Sequence, residues 1–158
     1  MKKKIMVVDD EIDLTMLLEH IFLSTGLYDV VTANSGKEAQ KIALQEKPDL
    51  IFLDFLMPEV RGDQVLQFLR SRPEFERTPV VMMSGLGGDV YLDEHDERGH
   101  DESCSSQDSD ENYSRVSAFH EGMIEKYHVT ATLPKPFTSQ ELKTLAETIF
   151  RQEEAQGG

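Results

Sequence analysis

The sequence has little of three things: cysteine, long apolar runs and basic residues. Cys104 is the single cysteine, so the chain cannot form an internal disulfide and is predicted to be intracellular. No apolar run is long enough to span a bilayer, and the one near the start ends at Asp9, too early for the core of a signal peptide. We therefore expect a soluble cytoplasmic protein without membrane insertion.

The shortage of basic residues limits the partners. Lys and Arg number 16 against 30 Asp and Glu, for a net charge of −14. Nucleic-acid backbones are bound by clusters of Lys and Arg, so a direct nucleic-acid partner is not expected. A more basic protein surface or a bound cation fits better. The 158 residues suit one domain with its own core.

Short apolar runs alternate along the chain with segments whose apolar residues recur at helical spacing. Residues 4–8 and 50–53 are nearly continuous apolar runs, typical of strands buried on both faces of a parallel sheet. Ser35 offers a cap to one helix, and Thr138 with Glu141 forms a capping box before the last. This pattern predicts a doubly wound parallel α/β sheet.

One acidic segment interrupts this alternation. Residues 87–111 consist largely of Gly, Ser and acidic residues, with Arg98 as their only Lys or Arg. They have too few apolar residues to fold alone, so we predict a flexible insertion, after which the helical period resumes at Tyr113. It is either a loop without consequence or a partner-binding or lid segment. A metal site is not favoured, because the candidate ligands His95, His100, Cys104 and nearby carboxylates lack regular spacing, and His120 lies on a predicted helix without a partner four residues later.

Four strand-like runs end in residues suited to phosphate chemistry. Asp9 and Asp10 follow the first run, and the other runs end at Asp54, Ser84 and Lys135. If these strands are parallel neighbours, their carboxyl ends meet in the crevice where open α/β sheets bind ligands. We predict a site for a divalent metal and a phosphoryl group, with an aspartate as the acceptor.

The carboxylates have functional and ordinary explanations. Asp9 and Asp10 repel each other unless they share a cation, and Mg²⁺ suits one or two carboxylates plus phosphate oxygens. Alternatively, one caps a helix and the other is solvated. Asp54 ends a strand too apolar to hold an unpaired carboxylate, and a carboxylate can accept a phosphoryl group as an acyl phosphate. Its alternative is a turn-forming Asp before Met57-Pro58.

The hydroxyl and the ammonium complete the predicted site. Ser84 would donate a hydrogen bond to one phosphoryl oxygen and Lys135 would neutralise another, although a turn Ser and a surface Lys are the ordinary explanations. The Lys135–Pro136 bond is a candidate for the cis form. Pro134 and Pro136 fit this strand only at a sheet edge.

These motifs together resemble a known family. The chain is similar, from Lys3 to about Phe150, to the receiver (CheY-like) domain of two-component response regulators. The motifs that carry the resemblance are Val8-Asp9-Asp10-Glu11, Asp54 with Met57-Pro58 and Gly62, Ser84-Gly85, and Lys135-Pro136-Phe137. The resemblance implies a flavodoxin-like five-stranded parallel sheet of order 2-1-3-4-5 with five flanking helices. Residues 1–151 would form the receiver domain and residues 152–158 a frayed tail.

The resemblance also implies roles. Asp54 would accept phosphate from a phosphohistidine of a sensor histidine kinase or a histidine-phosphotransfer protein. Mg²⁺ would be held by Asp9, Asp10, Asp54 and the main-chain carbonyl of Leu56, and Ser84 and Lys135 would bind the phosphoryl group. Phosphorylation would change a surface that binds a downstream protein, and a homodimer is possible. Such a protein assists only its own phosphorylation and dephosphorylation, so it is not an enzyme in the usual sense.

Two positions depart from the family pattern. Receivers usually have an aromatic residue three positions before the lysine, where this chain has Thr132. We hypothesise that Tyr113 or Tyr127 substitutes for it. Leu56 is apolar and cannot orient a water molecule for attack on an acyl phosphate, so we predict a long-lived phosphorylated state.

Other functions stay open at this point. The chain could be a phosphorylation-independent adaptor that binds through residues 87–111. It could also be an Asp-nucleophile phosphatase similar to haloacid dehalogenases, but those enzymes want Asp-x-Asp after the first strand, where this chain has Asp9-Asp10-Glu11. Little chain follows Phe150, so we expect a single-domain regulator, with a receiver excised from a longer protein as the alternative.

Overall fold

A computed structural model describes residues 1–85, 122, 124–126 and 128–157. Five parallel strands form one sheet in the order β2-β1-β3-β4-β5. The flavodoxin-like doubly wound fold is therefore confirmed. The strands are β1 (Lys3–Val8), β2 (Tyr28–Ala33), β3 (Leu50–Asp54), β4 (Val80–Gly85) and β5 (Ala131–Lys135).

Helices cover both faces of this sheet. Gly122 and residues 124–126 are also helical, where the sequence predicts the helix before β5. Among the described residues no helix combines the length and apolar character that crossing a membrane requires. The other helices are α1 (Ile12–Leu23), α2 (Gly36–Glu46), α3 (Gly62–Arg70), a 3₁₀ turn (Pro73–Phe75) and the C-terminal helix (Ser139–Gln156).

The three central strands, β1, β3 and β4, are mostly buried on both faces, which explains their continuous apolar character. All five residues of β3 are buried. Successive side chains of β1 point to opposite faces. Met6 and Val8 join a core with residues of α2 and α3, whereas Ile5 and Val7 join a second core with residues of α1 and the C-terminal helix.

Local signals define several boundaries as predicted. The Ser35 hydroxyl accepts from the N–H of Glu38 at the start of α2, and Thr138 and Glu141 form the capping box of the C-terminal helix. Pro134 lies in β5, an edge strand, and the Lys135–Pro136 peptide bond is cis.

Two sequence predictions concern the C-terminal tail and the acidic segment. The predicted frayed tail, residues 152–158, is wrong over 152–156, because the C-terminal helix continues to Gln156. These residues are Gln, Glu, Glu, Ala and Gln, all good helix formers. The insertion at 87–111 lies outside the described residues. So do the individual residues Tyr113, His120 and Tyr127.

Candidate phosphoryl and metal site

Three carboxylates converge at the carboxyl end of the sheet. Asp9 and Asp10 follow β1, and Asp54 is the last residue of β3, the neighbouring strand. One carboxylate oxygen from each residue lies within 4.8 Å of the others. Asp9 and Asp54 are buried, whereas Asp10 is exposed. Oxygen donors this close together suit a hard divalent cation.

The ammonium group of Lys135 faces two of these carboxylates. The Nζ of Lys135 lies 2.6 Å from Oδ2 of Asp9 and 3.4 Å from Oδ1 of Asp54. Burial alone would lower the pKa of Lys135, but the hydrogen bond to Asp9 and the charges of Asp54 and Asp9 raise it overall. Lys135 is therefore protonated at neutral pH, and within the described part of the chain its positive charge faces a cluster of three carboxylates.

The environment of Asp54 disfavours its charged form. Burial is the main cause and the nearby charge of Asp9 adds to it, so the pKa of Asp54 rises from 3.8 to about 7. Lys135 lowers the pKa of Asp54 but does not cancel these effects. An added cation would favour the carboxylate form, because opposite charge stabilises it.

The loop after β3 packs closely against the start of α3. A Cβ atom on Gly62 would clash with the carbonyl oxygen of Asp54 and would lie 2.8 Å from Cα of Phe55. The N–H of Gly62 also donates to the carbonyl of Phe55 at 2.9 Å. This close approach explains why glycine opens α3. Leu56 lies in this loop with 52% of its surface exposed.

The remaining predicted residues lie on the two strands beyond β3. Ser84 is half-buried in β4, where it pairs with Pro134, and Gly85 pairs with Lys135. Met83, the residue before Ser84, pairs with Asp54, so Ser84 belongs to the same end of the sheet as the carboxylates. Thr132 pairs with Met82, further back along β5.

The sequence does not point to two residues that contact the acidic turn. The side-chain Nδ2 of Asn34 donates to the carbonyl oxygen of Asp9 at 3.1 Å and to Oγ1 of Thr15 at 2.9 Å. Asn34 lies between a strand and a helix cap, where Asn is common as a turn residue. Its contact with Asp9 depends on β2 lying beside β1, which no local signal shows.

Comparisons with known proteins agree with this geometry. Residues 5–102, more than half of the chain, match the sequence model of the response regulator receiver domain. A curated relative is the alkaline phosphatase synthesis transcriptional regulatory protein PhoP of Bacillus subtilis, 39% identical over 104 residues. That alignment covers 58% of this chain and 42% of PhoP. The chain thus spans less than half the length of this relative.

Solved structures show the same fold. A signal receiver domain from Vibrio parahaemolyticus superposes with a TM-score of 0.73 at 19% identity, covering 99% of this chain and 96% of that one. The chemotaxis protein CheY4 of Vibrio cholerae has a TM-score of 0.64 at 26% identity, covering 93% of this chain and 98% of CheY4. The chain therefore belongs to the receiver domain family of two-component response regulators.

Proposed function

We propose that this protein is a phosphorylation-operated signalling switch whose phosphoacceptor is Asp54. The donor is a phosphohistidine on a sensor histidine kinase or a histidine-phosphotransfer protein. The observation that carries the proposal is the position of the Asp54 carboxylate, which is buried beside two other carboxylates and 3.4 Å from the ammonium of Lys135. Such a setting suits a nucleophile that must gain a highly charged group.

In the proposed reaction one carboxylate oxygen of Asp54 forms a bond to phosphorus. The bond between phosphorus and the histidine nitrogen breaks, its electron pair stays on the imidazole, and solvent supplies a proton when the ring needs one. The product is an acyl phosphate, a form of covalent intermediate that carboxylates make. Ser84 donates to one phosphoryl oxygen, and Lys135 moves its hydrogen bonds from carboxylate to phosphoryl oxygens.

The oxygen donors and the excess negative charge fit a divalent cation. We propose that Asp9, Asp10, Asp54 and the main-chain carbonyl of Leu56 would hold Mg²⁺, which usually binds one or two carboxylates with waters and phosphate oxygens. When bound, the ion neutralises charge on the transferred group. Before transfer, Asp9 and Asp10 keep their oxygens close to Asp54, and Lys135 balances part of the charge.

The signal would leave the domain as a change in a surface that binds a downstream protein. We propose that the receiver comprises the described fold through its C-terminal helix, with residues 87–111 as an insertion, and that it works in the cytoplasm. The net charge of −14 favours a protein target over direct contact with nucleic acid. A homodimer is a further proposed state.

The test is the mass of the intact protein after incubation with acetyl phosphate and Mg²⁺. Wild type should gain one phosphoryl group, and neither Asp54→Ala nor wild type in EDTA should gain any. Lack of uptake by wild type in every condition would overturn the proposal and favour a phosphorylation-independent adaptor. Uptake by Asp54→Ala equal to wild type would reject Asp54 as the acceptor.

A second assay separates the switch from a phosphatase. A haloacid-dehalogenase-like enzyme would use Asp9, after β1, as its nucleophile. In the structure Asp9 instead accepts from the N–H of Glu11 at 2.9 Å and from Lys135 at 2.6 Å. We expect no repeated turnover of p-nitrophenyl phosphate. Sustained turnover by wild type that Asp9→Asn abolishes would establish the enzyme instead.

A further inference from the structure

The side chain of Asn34 joins the end of β2 to the acidic turn after β1. Its Nδ2 donates to the carbonyl oxygen of Asp9 at 3.1 Å and to Oγ1 of Thr15 at 2.9 Å. A side-chain amide group has two N–H donors, so these two bonds use both. The orientation of the Asn34 amide is thereby defined by one backbone and one side-chain acceptor.

The backbone of Asp9 is held on both sides by consecutive residues. Its N–H donates to the carbonyl of Ala33 at 3.1 Å, and its own carbonyl accepts from Asn34. That carbonyl belongs to the planar peptide unit that joins Asp9 to Asp10. Fixing the orientation of this unit therefore fixes the direction in which the chain enters Asp10, the exposed member of the acidic cluster.

Thr15 connects the same contact to the first turn of α1. Its side chain is buried, and its hydroxyl accepts from Asn34 while donating to the carbonyl of Ile12 at 2.9 Å. The end of β2, the acidic turn and the start of α1 are thus linked by one hydrogen-bond network. The buried hydroxyl of Thr15 and the half-buried amide of Asn34 restrict one another in this network, because an unpaired partner is costly.

We propose that Asn34 is a positioning residue for the acidic pair Asp9–Asp10, acting through the Asp9 carbonyl and Thr15. Its role is to keep the carboxylates of both residues within reach of one divalent cation. This inference rests on the metal site proposed above. Groups that orient metal ligands in this way change metal affinity about 10- to 100-fold when removed.

The test is direct binding of Mn²⁺, followed by the electron paramagnetic resonance signal of the free ion. Asn34→Ala should bind Mn²⁺ about tenfold more weakly than wild type. Ser35→Ala is the matched control, because it removes the neighbouring hydroxyl that caps α2 through Glu38 and leaves the Asp9 contact intact. We expect the Mn²⁺ affinity of Ser35→Ala to lie within about twofold of wild type, while its stability in EDTA falls.

The possible results distinguish this inference from the function on which it rests. Wild type that binds no Mn²⁺ would overturn the metal site itself. If wild type binds Mn²⁺ and Asn34→Ala binds it with equal affinity, only the role of Asn34 is overturned. The same holds if Ser35→Ala weakens Mn²⁺ binding as much as Asn34→Ala does.

If Asn34→Ala does not fold in EDTA, Thr15→Val decides, since it removes the Thr15 hydroxyl at nearly constant side-chain volume. We expect it to weaken Mn²⁺ binding several-fold, and unchanged affinity would again overturn the inference.

Discussion

Two side-chain cations, Lys135 and Arg70, lie at opposite ends of the sheet and have opposite kinds of partner. At the carboxyl end, Lys135 contacts the carboxylates of Asp9 and Asp54. At the amino end, the guanidinium of Arg70 donates to three backbone carbonyls. These belong to Phe75 at 2.6 Å, Thr78 at 2.9 Å and His128 at 3.1 Å.

The pKa values of the two cations shift in opposite directions. The carboxylates raise the pKa of Lys135 despite its burial, whereas burial lowers the pKa of Arg70. The carbonyl acceptors of Arg70 are neutral, so they form no carboxylate cluster around it. At the carboxyl end the carboxylates outnumber the ammonium. Arg70 therefore satisfies backbone carbonyls within the fold, whereas the cluster around Lys135 holds Asp54 in a setting that disfavours its charged form.

The largest expected effect concerns Arg70. Arg70→Leu should lower the free energy of unfolding by about 3 kcal/mol, because three carbonyls lose a charged donor. Urea denaturation measures this loss, and Arg77→Leu, at an exposed arginine, should change it by less than about 0.5 kcal/mol. The folded fraction should still take up one phosphoryl group. A stably folded Arg70→Leu protein that takes up no phosphoryl group would contradict the expectation that Arg70 acts on stability alone.

The second prediction is that Asp54 destabilises the metal-free fold at high pH. The pKa of Asp54 is about 7 in the fold and its ordinary value is 3.8. Between these values the folded state holds a proton that the unfolded state has lost, so stability falls as pH rises through this window. Asn carries no charge, so in EDTA at pH 8 Asp54→Asn should be more stable than wild type by about 2 kcal/mol.

Denaturation at several pH values checks this prediction. The advantage of Asp54→Asn should shrink as pH falls from 7 and disappear only below 3.8, where Asp54 is mostly protonated in both states of wild type. Glu76→Gln, at an exposed carboxylate, should show no comparable change across this range. An advantage independent of pH would mean that packing, rather than charge, is responsible.

The third prediction separates the two roles of Lys135. Lys135→Met should take up phosphate from acetyl phosphate about tenfold more slowly, because one charge-assisted hydrogen bond to the phosphoryl group is lost. The same variant should bind Mn²⁺ more tightly, because the ammonium no longer competes for Asp9 and Asp54. Lys37→Met, at a lysine that is 74% exposed, is the control for both measurements. Weaker Mn²⁺ binding by Lys135→Met would show that the lysine supports the cation site.

The smallest expected effect is at Leu56, in the exposed loop beside the site. Leu56→Asn should shorten the lifetime of the acyl phosphate several-fold, because an amide can orient a water molecule for attack and Leu cannot. The decay of the phosphorylated mass after removal of the donor gives the lifetime. Leu27→Asn, which changes another exposed leucine outside the site, should leave it unchanged. Equal lifetimes for Leu56→Asn and wild type would reject the prediction.

Much of the candidate site at the carboxyl end of the sheet could be predicted from the sequence. Asp9, Asp54 and Lys135 each follow or end an apolar run, and parallel strands bring such positions together. The sheet order came from resemblance to the receiver family and is confirmed. Residue types with unusual chemistry at strand ends are therefore a strong signal, even when they lie far apart in the chain.

The amino end could not be predicted in the same way. In the sequence, Arg70 is simply a cation at the end of a predicted helix. Its acceptors are backbone carbonyls, which every residue has, so the sequence does not identify them. Asn34 likewise contacts a carbonyl, that of Asp9, and this contact exists only because β2 lies beside β1. Hydrogen bonds from side chains to distant backbone leave no pattern along the chain. The extent of the C-terminal helix depends on helix propensity that the apolar pattern does not report.

The ion pair between Lys135 and Asp9 spans 126 positions of the chain. During synthesis on the ribosome, Asp9, Asp10 and Asp54 emerge long before Lys135. A nascent chain that ends before β5 therefore carries all three carboxylates of the cluster without the ammonium that pairs with two of them, and the charge of the cluster is balanced by Lys135 only when the last strand joins the sheet.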